Sequence, residues 1–361
     1  MELKIKQEEL QNSINIALKA VPNRTTLSIL ECIMITAEND EVRFTASDTE
    51  LGIETFLPNA EIKEGGSLCV DAKTISAIVN KLPNGDVTLK SGENDTLTIR
   101  CGKSRFNIAT KASDDFPSLD IVERKNGVTL EQETLKEIVR QTVFATSVSD
   151  NNRLMCGENI AIDGDKLKIT ALDGHRIAIR EINLDKEYEP MSAVIPSKTL
   201  QEIIKLLSSG KIEIYFTDSM VSFHFDQTTV SSRLLEGEYF AVDKMITKDF
   251  STTIKVDKQE LYSCLDRAIL LIKEMDRKPV IFTIGDTLKA EITTQLGSMD
   301  EEIEVEADGQ TGWNIGINPR FINDVLRVLD EDKVSIYLND SKSPCYINGD
   351  GYCFCILPVK F

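Results

Sequence analysis

Basic residues recur at matched positions along an otherwise acidic chain. Lys73, Lys198 and Arg320 occupy one repeated position, and seven residues further on stand Asn80, Lys205 and Arg327. A step of seven returns to nearly the same side of a helix, so each set lies on one polar stripe. Arg24, Arg153 and Arg277 recur in a third way, each in the stretch that follows an amphipathic segment. The chemistry open to such a set is electrostatic: it can hold the phosphates of a polyanion without making or breaking a bond. Any one of these residues is explained by an exposed helix face, since lysine and arginine are good helix formers. Three positions repeated over three copies, in a chain with 59 acidic and 41 basic residues, favour a shared surface that meets something negative.

Bond-making chemistry finds less support. The chain has two histidines. His175 follows Asp173-Gly174, and a hydrolase built on Asp48, Asp173 and His175 is one alternative reading. No serine or cysteine nucleophile has a motif around it, however, and Asp48 and Asp173 fall at equivalent repeat positions, which suggests a shared turn. His224 alternates with Phe223 and Phe225 and reads as structural. There is no Gly-rich phosphate loop, no His-x-x-x-His pair and no calcium loop, so no catalytic residue, metal site or cofactor is expected. The eight cysteines lack the two-residue spacing of zinc or redox motifs and sit mostly in apolar runs, as small buried hydrophobes of a reducing compartment do.

The elements that must position the basic residues come in three copies of about 120 residues. The segment from Asp71 to Leu82 returns as Pro196 to Leu207 and again as Asn318 to Leu329, at offsets of 125 and 122. Phe44-Thr45-Ala46-Ser47-Asp48 returns as Ile169-Thr170-Ala171-Leu172-Asp173, also 125 apart. A period of this size means three similar domains rather than a solenoid. Within each copy the plan repeats: a short strand, a polar corner, an amphipathic helix, then about three alternating strands. In the first, Leu10, Ile14, Ala17, Leu18 and Val21 give the helical spacing, ended by Pro22-Asn23. The equivalent helices begin near Leu135 and Leu261. The second helices are entered through Asp71, Pro196-Ser197 and Asn318-Pro319, residues suited to a helix start. Period-two runs such as Val42, Phe44 and Ala46 mark strands, and Pro83-Asn84-Gly85-Asp86 or Asp163-Gly164-Asp165 mark turns. The fold class is α+β, with two helices and antiparallel sheets in each domain, over residues 1–122, 126–246 and 251–361.

A formal charge of −18 argues against unselective adhesion to nucleic acid or anionic membrane but leaves room for a local basic surface. No run of 18 apolar residues exists and the N-terminus lacks a basic-then-apolar leader, so neither a membrane span nor secretion is expected. From residues alone the reading is a three-domain scaffold whose equivalent helices face something negative. An interaction scaffold with no role on DNA remains its alternative.

Several segments resemble the bacterial β sliding clamp family, the processivity subunits of the replicative DNA polymerase. They are Arg24 followed by Thr26-Leu27 and Ile29-Leu30, Lys103-Ser104-Arg105-Phe106 leading to Asp115-Phe116-Pro117-Ser118-Leu119, and Thr170-Ala171-Leu172-Asp173-Gly174-His175-Arg176. Ser232-Arg233-Leu234-Leu235-Glu236-Gly237 and the terminal Leu357-Pro358-Val359-Lys360-Phe361 complete the set. The likeness spans the whole chain. One segment departs: where relatives carry an aromatic-Pro-Asp-Tyr sequence, this chain has Tyr239-Phe240-Ala241-Val242-Asp243.

The resemblance implies a cytoplasmic, non-enzymatic clamp, a head-to-tail homodimer with six domains around a closed ring. Helices would line the hole, so that Arg24, Lys73, Arg153, Lys198, Lys205, Arg277, Arg320 and Arg327 face duplex phosphates without reading sequence. Phe106 and Ile108 of one copy would meet Ile269 and Leu270 of the other. Gly174, His175, Arg176 and Ile177 would form one wall of a partner groove, with Met155, Thr170, Phe240, Lys244 and Met245 beside it. Asn318, Phe321 and the tail residues Leu357, Pro358, Val359 and Lys360 would complete it; Pro358 argues for an exposed lip over a paired strand. The implied partners are duplex DNA, the DNA polymerase III alpha subunit, a clamp loader and other proteins carrying the same short motif, with no membrane.

Overall fold

The computed structural model describes residues 1–57, 60–120, 122–149, 151–273 and 278–361. Its six α-helices are α1 (Gln7–Ala17), α2 (Ala72–Val79), α3 (Gln132–Arg140), α4 (Ser197–Leu206), α5 (Lys258–Ile269) and α6 (Pro319–Val328). Five follow directly on a strand and α6 one residue after, and the junction residues explain several of the starts. The Asp71 carboxylate accepts from the Thr74 amide at 2.8 Å, and Asp257 accepts from Glu260 at 2.8 Å. Asn318 accepts from the Arg320 amide at 3.0 Å, with Pro319 in the first turn. Each cap satisfies an amide that the helix itself cannot, worth about 1 kcal/mol. The apolar stripe of α1 is buried as its spacing requires at Leu10, Ile14 and Ala17. The α-helix ends there; Leu18–Ala20 tightens to a 3-10 turn and Val21 turns extended ahead of Pro22.

The strands form two antiparallel sheets, each belonging to one compact unit. The first unit holds residues 1–135 and 201–234 and a sheet of thirteen strands. In it the strand Leu51–Leu57 of the first repeat pairs with Thr228–Arg233 of the second, Thr55 opposite Thr228 and Leu51 opposite Ser232. The second unit holds residues 136–200 and 235–361 and a sheet of ten strands. There the hairpin strand Arg176–Pro196 pairs with Tyr352–Ile356, Arg176 opposite Ile356 and Arg180 opposite Tyr352. The repeats are thus units of sequence, whereas each compact unit is about one and a half repeats joined by strand pairing.

Each unit has its own apolar interior. Leu3, Leu10, Ile33, Phe44, Ile53 and Ile75 are wholly buried in the first. Ile254, Leu261, Phe282, Ile322, Leu326 and Phe354 belong to one cluster in the second. Six of the eight cysteines, Cys32, Cys69, Cys101, Cys264, Cys345 and Cys355, are buried, and burial pushes the Cys69 and Cys264 thiols up to about 12. Among the described residues no helix is long and apolar enough to cross a membrane.

Besides the terminal strands of each sheet, two strands inside the sheet order leave most of one edge unpaired among the described residues. Ser104–Lys111 pairs along its length with Thr96–Cys101, but with Gly66–Asp71 only at Thr110 and Lys111. Gly297–Gly309 pairs with Thr287–Thr294 up to Glu304 and with Thr252–Asp257 only beyond it. Open edges of this length invite another chain.

Candidate nucleic-acid interface and partner groove

The corner after Leu172 is built by Asp173. One of its carboxylate oxygens accepts from the amides of His175 at 2.9 Å and Arg176 at 3.1 Å, while Gly174 supplies a φ of +85° that other residues resist. The other oxygen receives the Arg176 Nε at 3.0 Å. Arg176 also reaches Asp324 on α6 at 2.6 Å and donates to the Phe144 carbonyl. Its guanidinium lies over the rings of Phe144 and Phe321, 5.3 and 4.5 Å from their centroids. With 11% of its side chain exposed, Arg176 is a tie inside the unit rather than a group held out to a ligand. His175 is exposed and stacks on Phe321 at 6.3 Å.

Beside this corner lies an apolar patch. Leu172, Ile179 and Val242 are buried in it, and Met155, Ile177, Tyr239, Phe240, Ile246 and Cys353 pack against them. The structure therefore brings together Met155, Ile177 and Phe240, which sequence reasoning named. It adds Leu172, Tyr239, Val242, Ile246 and Cys353, whose only sequence signal is their place in apolar runs. Met245 and Leu357 remain 54% and 42% exposed, and Lys244 and Lys360 are exposed. The terminal strand stops at Ile356, and the tail beyond is tethered at two points. The Leu357 amide donates to the His175 carbonyl at 2.9 Å and the Val359 amide to the Gly316 carbonyl at 2.8 Å. Gly316 admits this approach because a Cβ there would stand 2.6 Å from Val359 O and from the Phe361 ring. Pro358 and Val359 are half-buried. Two residues named from sequence face elsewhere: Thr170 is buried in its strand, and the Asn318 side chain caps α6.

The basic residues divide by what already holds them. Arg24, Lys73, Arg153, Lys198, Lys205 and Arg327 are exposed. Lys205 pairs with Glu202 at 2.7 Å, an exposed contact that a phosphate can displace at little loss. Arg327 donates to the Tyr262 hydroxyl at 3.2 Å and lies 3.7 Å from Asp324. Arg320 is different: half-buried, it donates to the Ile272 carbonyl just past α5 at 3.3 Å. Arg277 lies outside the described residues. In the first unit Lys205 shares an open groove of about 570 Å³ with Lys19, a residue missed from sequence because it lies just past α1. Among the described residues no cluster of histidine, cysteine or carboxylate side chains is arranged to hold a metal ion. His224 sits between the hydroxyls of Ser222 at 2.8 Å and Thr229 at 3.0 Å, and burial pushes its pKa down to about 4. Asp48 makes the same turn as Asp173, accepting from the amides of Glu50 and Leu51 at 3.1 and 2.7 Å. Of the remaining apolar candidates, Phe106 and Leu270 are 39% and 76% exposed, and Ile108 and Ile269 are half-buried.

Comparison with known proteins places these features in one family. The chain matches the three domain profiles of the DNA polymerase III beta subunit in order: N-terminal over residues 1–120, central over 129–240 and C-terminal over 243–352. It is 32% identical to the β sliding clamp of Bacillus subtilis over 376 residues, covering 100% of both chains. The β sliding clamp of Staphylococcus epidermidis is 31% identical over 374 residues, covering 100% of this chain and 99% of its own. Among solved structures, a putative DNA polymerase III beta subunit from Eubacterium rectale superposes with a TM-score of 0.96 at 44% identity, covering 100% of this chain and 99% of its own. The Bacillus subtilis sliding clamp gives 0.95 at 31% identity, with the same coverage. Matched along its whole length and in all three domains, the chain belongs to the bacterial β sliding clamps, the non-catalytic subunits that make the replicative DNA polymerase processive.

Proposed function

We propose that two copies of this chain, each with domains over residues 1–122, 126–246 and 251–361, close head to tail around duplex DNA in the cytoplasm. The observation that carries the reading is the repeated joint between repeats. Leu51–Leu57 meets Thr228–Arg233, and the start of Arg176–Pro196 meets Tyr352–Ile356, at equivalent repeat positions. In the third pair of equivalent strands, Gly297–Gly309 and Ser104–Lys111, each strand has an open edge. A second copy completes the series by laying one edge against the other, with Gly297 opposite Ala109 and Glu301 opposite Arg105. Opposite charges across such a pair add about 0.2–1 kcal/mol. Phe106, Ile108, Ile269 and Leu270 supply the apolar part of this closed, two-fold contact.

In the ring, Arg24, Lys73, Arg153, Lys198, Lys205 and Arg327 face the phosphates, with Lys19 beside Lys205. A few separate charges give affinity without sequence preference and without a deep well at any one position, which suits movement along the duplex. The patch of Met155, Ile177 and Phe240, with His175, Met245 and Leu357 at its rim, takes short motifs of the polymerase alpha subunit, the clamp loader and other proteins bearing that motif. Apolar anchors in such a site carry most of the binding energy. The test is topological. Protein loaded on nicked circular duplex should be retained, and released when the circle is cut; release that ignores cutting overturns the ring. Lys198→Glu, Lys205→Glu and Arg327→Glu together should shorten retention, more so at higher salt, and unchanged retention removes these residues from the lining.

A further inference from the structure

The middle repeat breaks the threefold pattern at one point of its core. The strand pairing that sets Ile33 opposite Val70, and Val280 opposite Ile317, sets Glu158 opposite Ile195. Ile33 and Val280 are wholly buried, and so is Glu158. A second position changes in step. Seven residues beyond Leu10, Leu135 and Leu261 stand Ala17, Thr142 and Ala268, all with no exposed surface. A carboxyl and a hydroxyl together replace a branched hydrophobe and a methyl.

Their geometry suits a neutral acid. Thr142 Oγ1 is 2.7 Å from Glu158 Oε2 and 2.9 Å from the Ile138 carbonyl. A hydroxyl has one hydrogen. Given to the Ile138 carbonyl, which can only accept, it leaves the 2.7 Å contact to be filled by the Glu158 O–H. Glu158 Oε1 is buried without a partner, a poor setting for an ionised carboxylate. The Tyr239 hydroxyl is buried too, with only a loose approach of the Leu172 backbone, and the charge of Glu158 is felt there. Tyr239 stands edge-on to Phe240 with centroids 5.4 Å apart, both in the apolar patch. The groups acting on the Glu158 carboxyl are burial and the Thr142 hydroxyl at the end of α3; no charged side chain of the described residues contributes.

We propose that Glu158 is a proton-operated latch beneath the partner-docking patch. Protonated, it donates to Thr142 and leaves Tyr239 and Phe240 packed. Ionised, it draws the Thr142 and Tyr239 hydroxyls to itself as donors, unpacks the Tyr239–Phe240 side and weakens capture of a partner motif. The proposal rests on the docking reading above. Burial pushes the carboxyl up to about 8 from 4.5. The folded protein thus holds this proton more tightly than the unfolded chain. The stability it contributes is complete below about pH 4.5 and is lost as pH rises through about 8.

The experiment is calorimetry of the full chain with a synthetic peptide carrying a glutamine and spaced leucine or phenylalanine anchors, at pH 7, 8 and 9. Wild-type affinity should fall about tenfold between pH 7 and 9, as one proton lost near pH 8 requires. Glu158→Gln keeps the shape without the ionisation and should show no such fall; equal pH profiles overturn the latch. Glu158→Ile with Thr142→Ala, which restores the pair of the outer repeats, should behave as Glu158→Gln does. If the peptide binds none of them, the docking reading fails, and hydrogen exchange across residues 236–246 still decides the latch. The ratio of wild-type to Glu158→Gln exchange rises between pH 7 and 9 if the latch exists, and a constant ratio overturns it.

Discussion

The corners at Asp48 and Asp173 have the same backbone and different surroundings. In each, an aspartate carboxylate takes two amides of the turn that follows. In each, the residue two past the aspartate accepts from a strand end: Glu50 from the Arg233 amide and His175 from the Leu357 amide, both at 2.9 Å. The side chains then diverge. Leu51 points into the core at the first corner, where the second has Arg176 bridging Asp173 and Asp324. Arg233 pairs with Asp120 at the first, and both are 58% exposed; the second offers Leu357, His175 and the apolar patch around Leu172 and Ile177. The repeat supplies the turn twice, and an apolar patch arises only where its neighbours are apolar.

Breaking the tie at the second corner should have the largest effect. Arg176→Ala leaves two carboxylates and a carbonyl without their donor, and loss of one partner from such a buried network costs about 3–5 kcal/mol. Urea unfolding is the measurement, and a loss under about 1 kcal/mol would show that Arg176 is not the tie described. Next is removal of Leu357 to Phe361, which should leave the thermal midpoint nearly unchanged. It should lower peptide affinity about thirtyfold, the scale of one lost anchor of about 2 kcal/mol. Calorimetry showing equal affinities would move the docking site away from the tail. Smallest is Arg233→Ala at the first corner. Its exposed ion pair should contribute less than about 0.5 kcal/mol, and a larger change in urea unfolding would make the two corners more alike than the geometry implies.

Residue patterns anticipated the local layer of this structure best. The repeat offsets survive as pairing registers, and Asp71 and Asn318 cap the helices they precede. Pro358 does lie beyond the last strand. What the patterns missed depends on partners distant in sequence. Nothing near Arg176 announces that Asp324, 148 residues on, will take its guanidinium. Arg320 shares a repeat position with Lys73 and Lys198, yet a carbonyl at Ile272 lies within its reach and holds it back. Thr170 alternates with apolar neighbours as a surface residue would, but both faces of its strand are covered. Glu158 is legible only when the three copies are laid side by side.

Strand pairing between repeats also bears on how the chain is made. Leu51–Leu57 finds its partner in Thr228–Arg233, so a ribosome must add about 175 residues before that neighbour exists. At about 5–20 residues per second the wait is roughly 10–35 s. Throughout it Leu51, Ile53 and Leu57, all buried in the finished protein, belong to a half-built sheet with an open side. Nascent chains stalled in this window should be the species most in need of a chaperone, and the stretch from Leu51 to Leu57 the segment it covers.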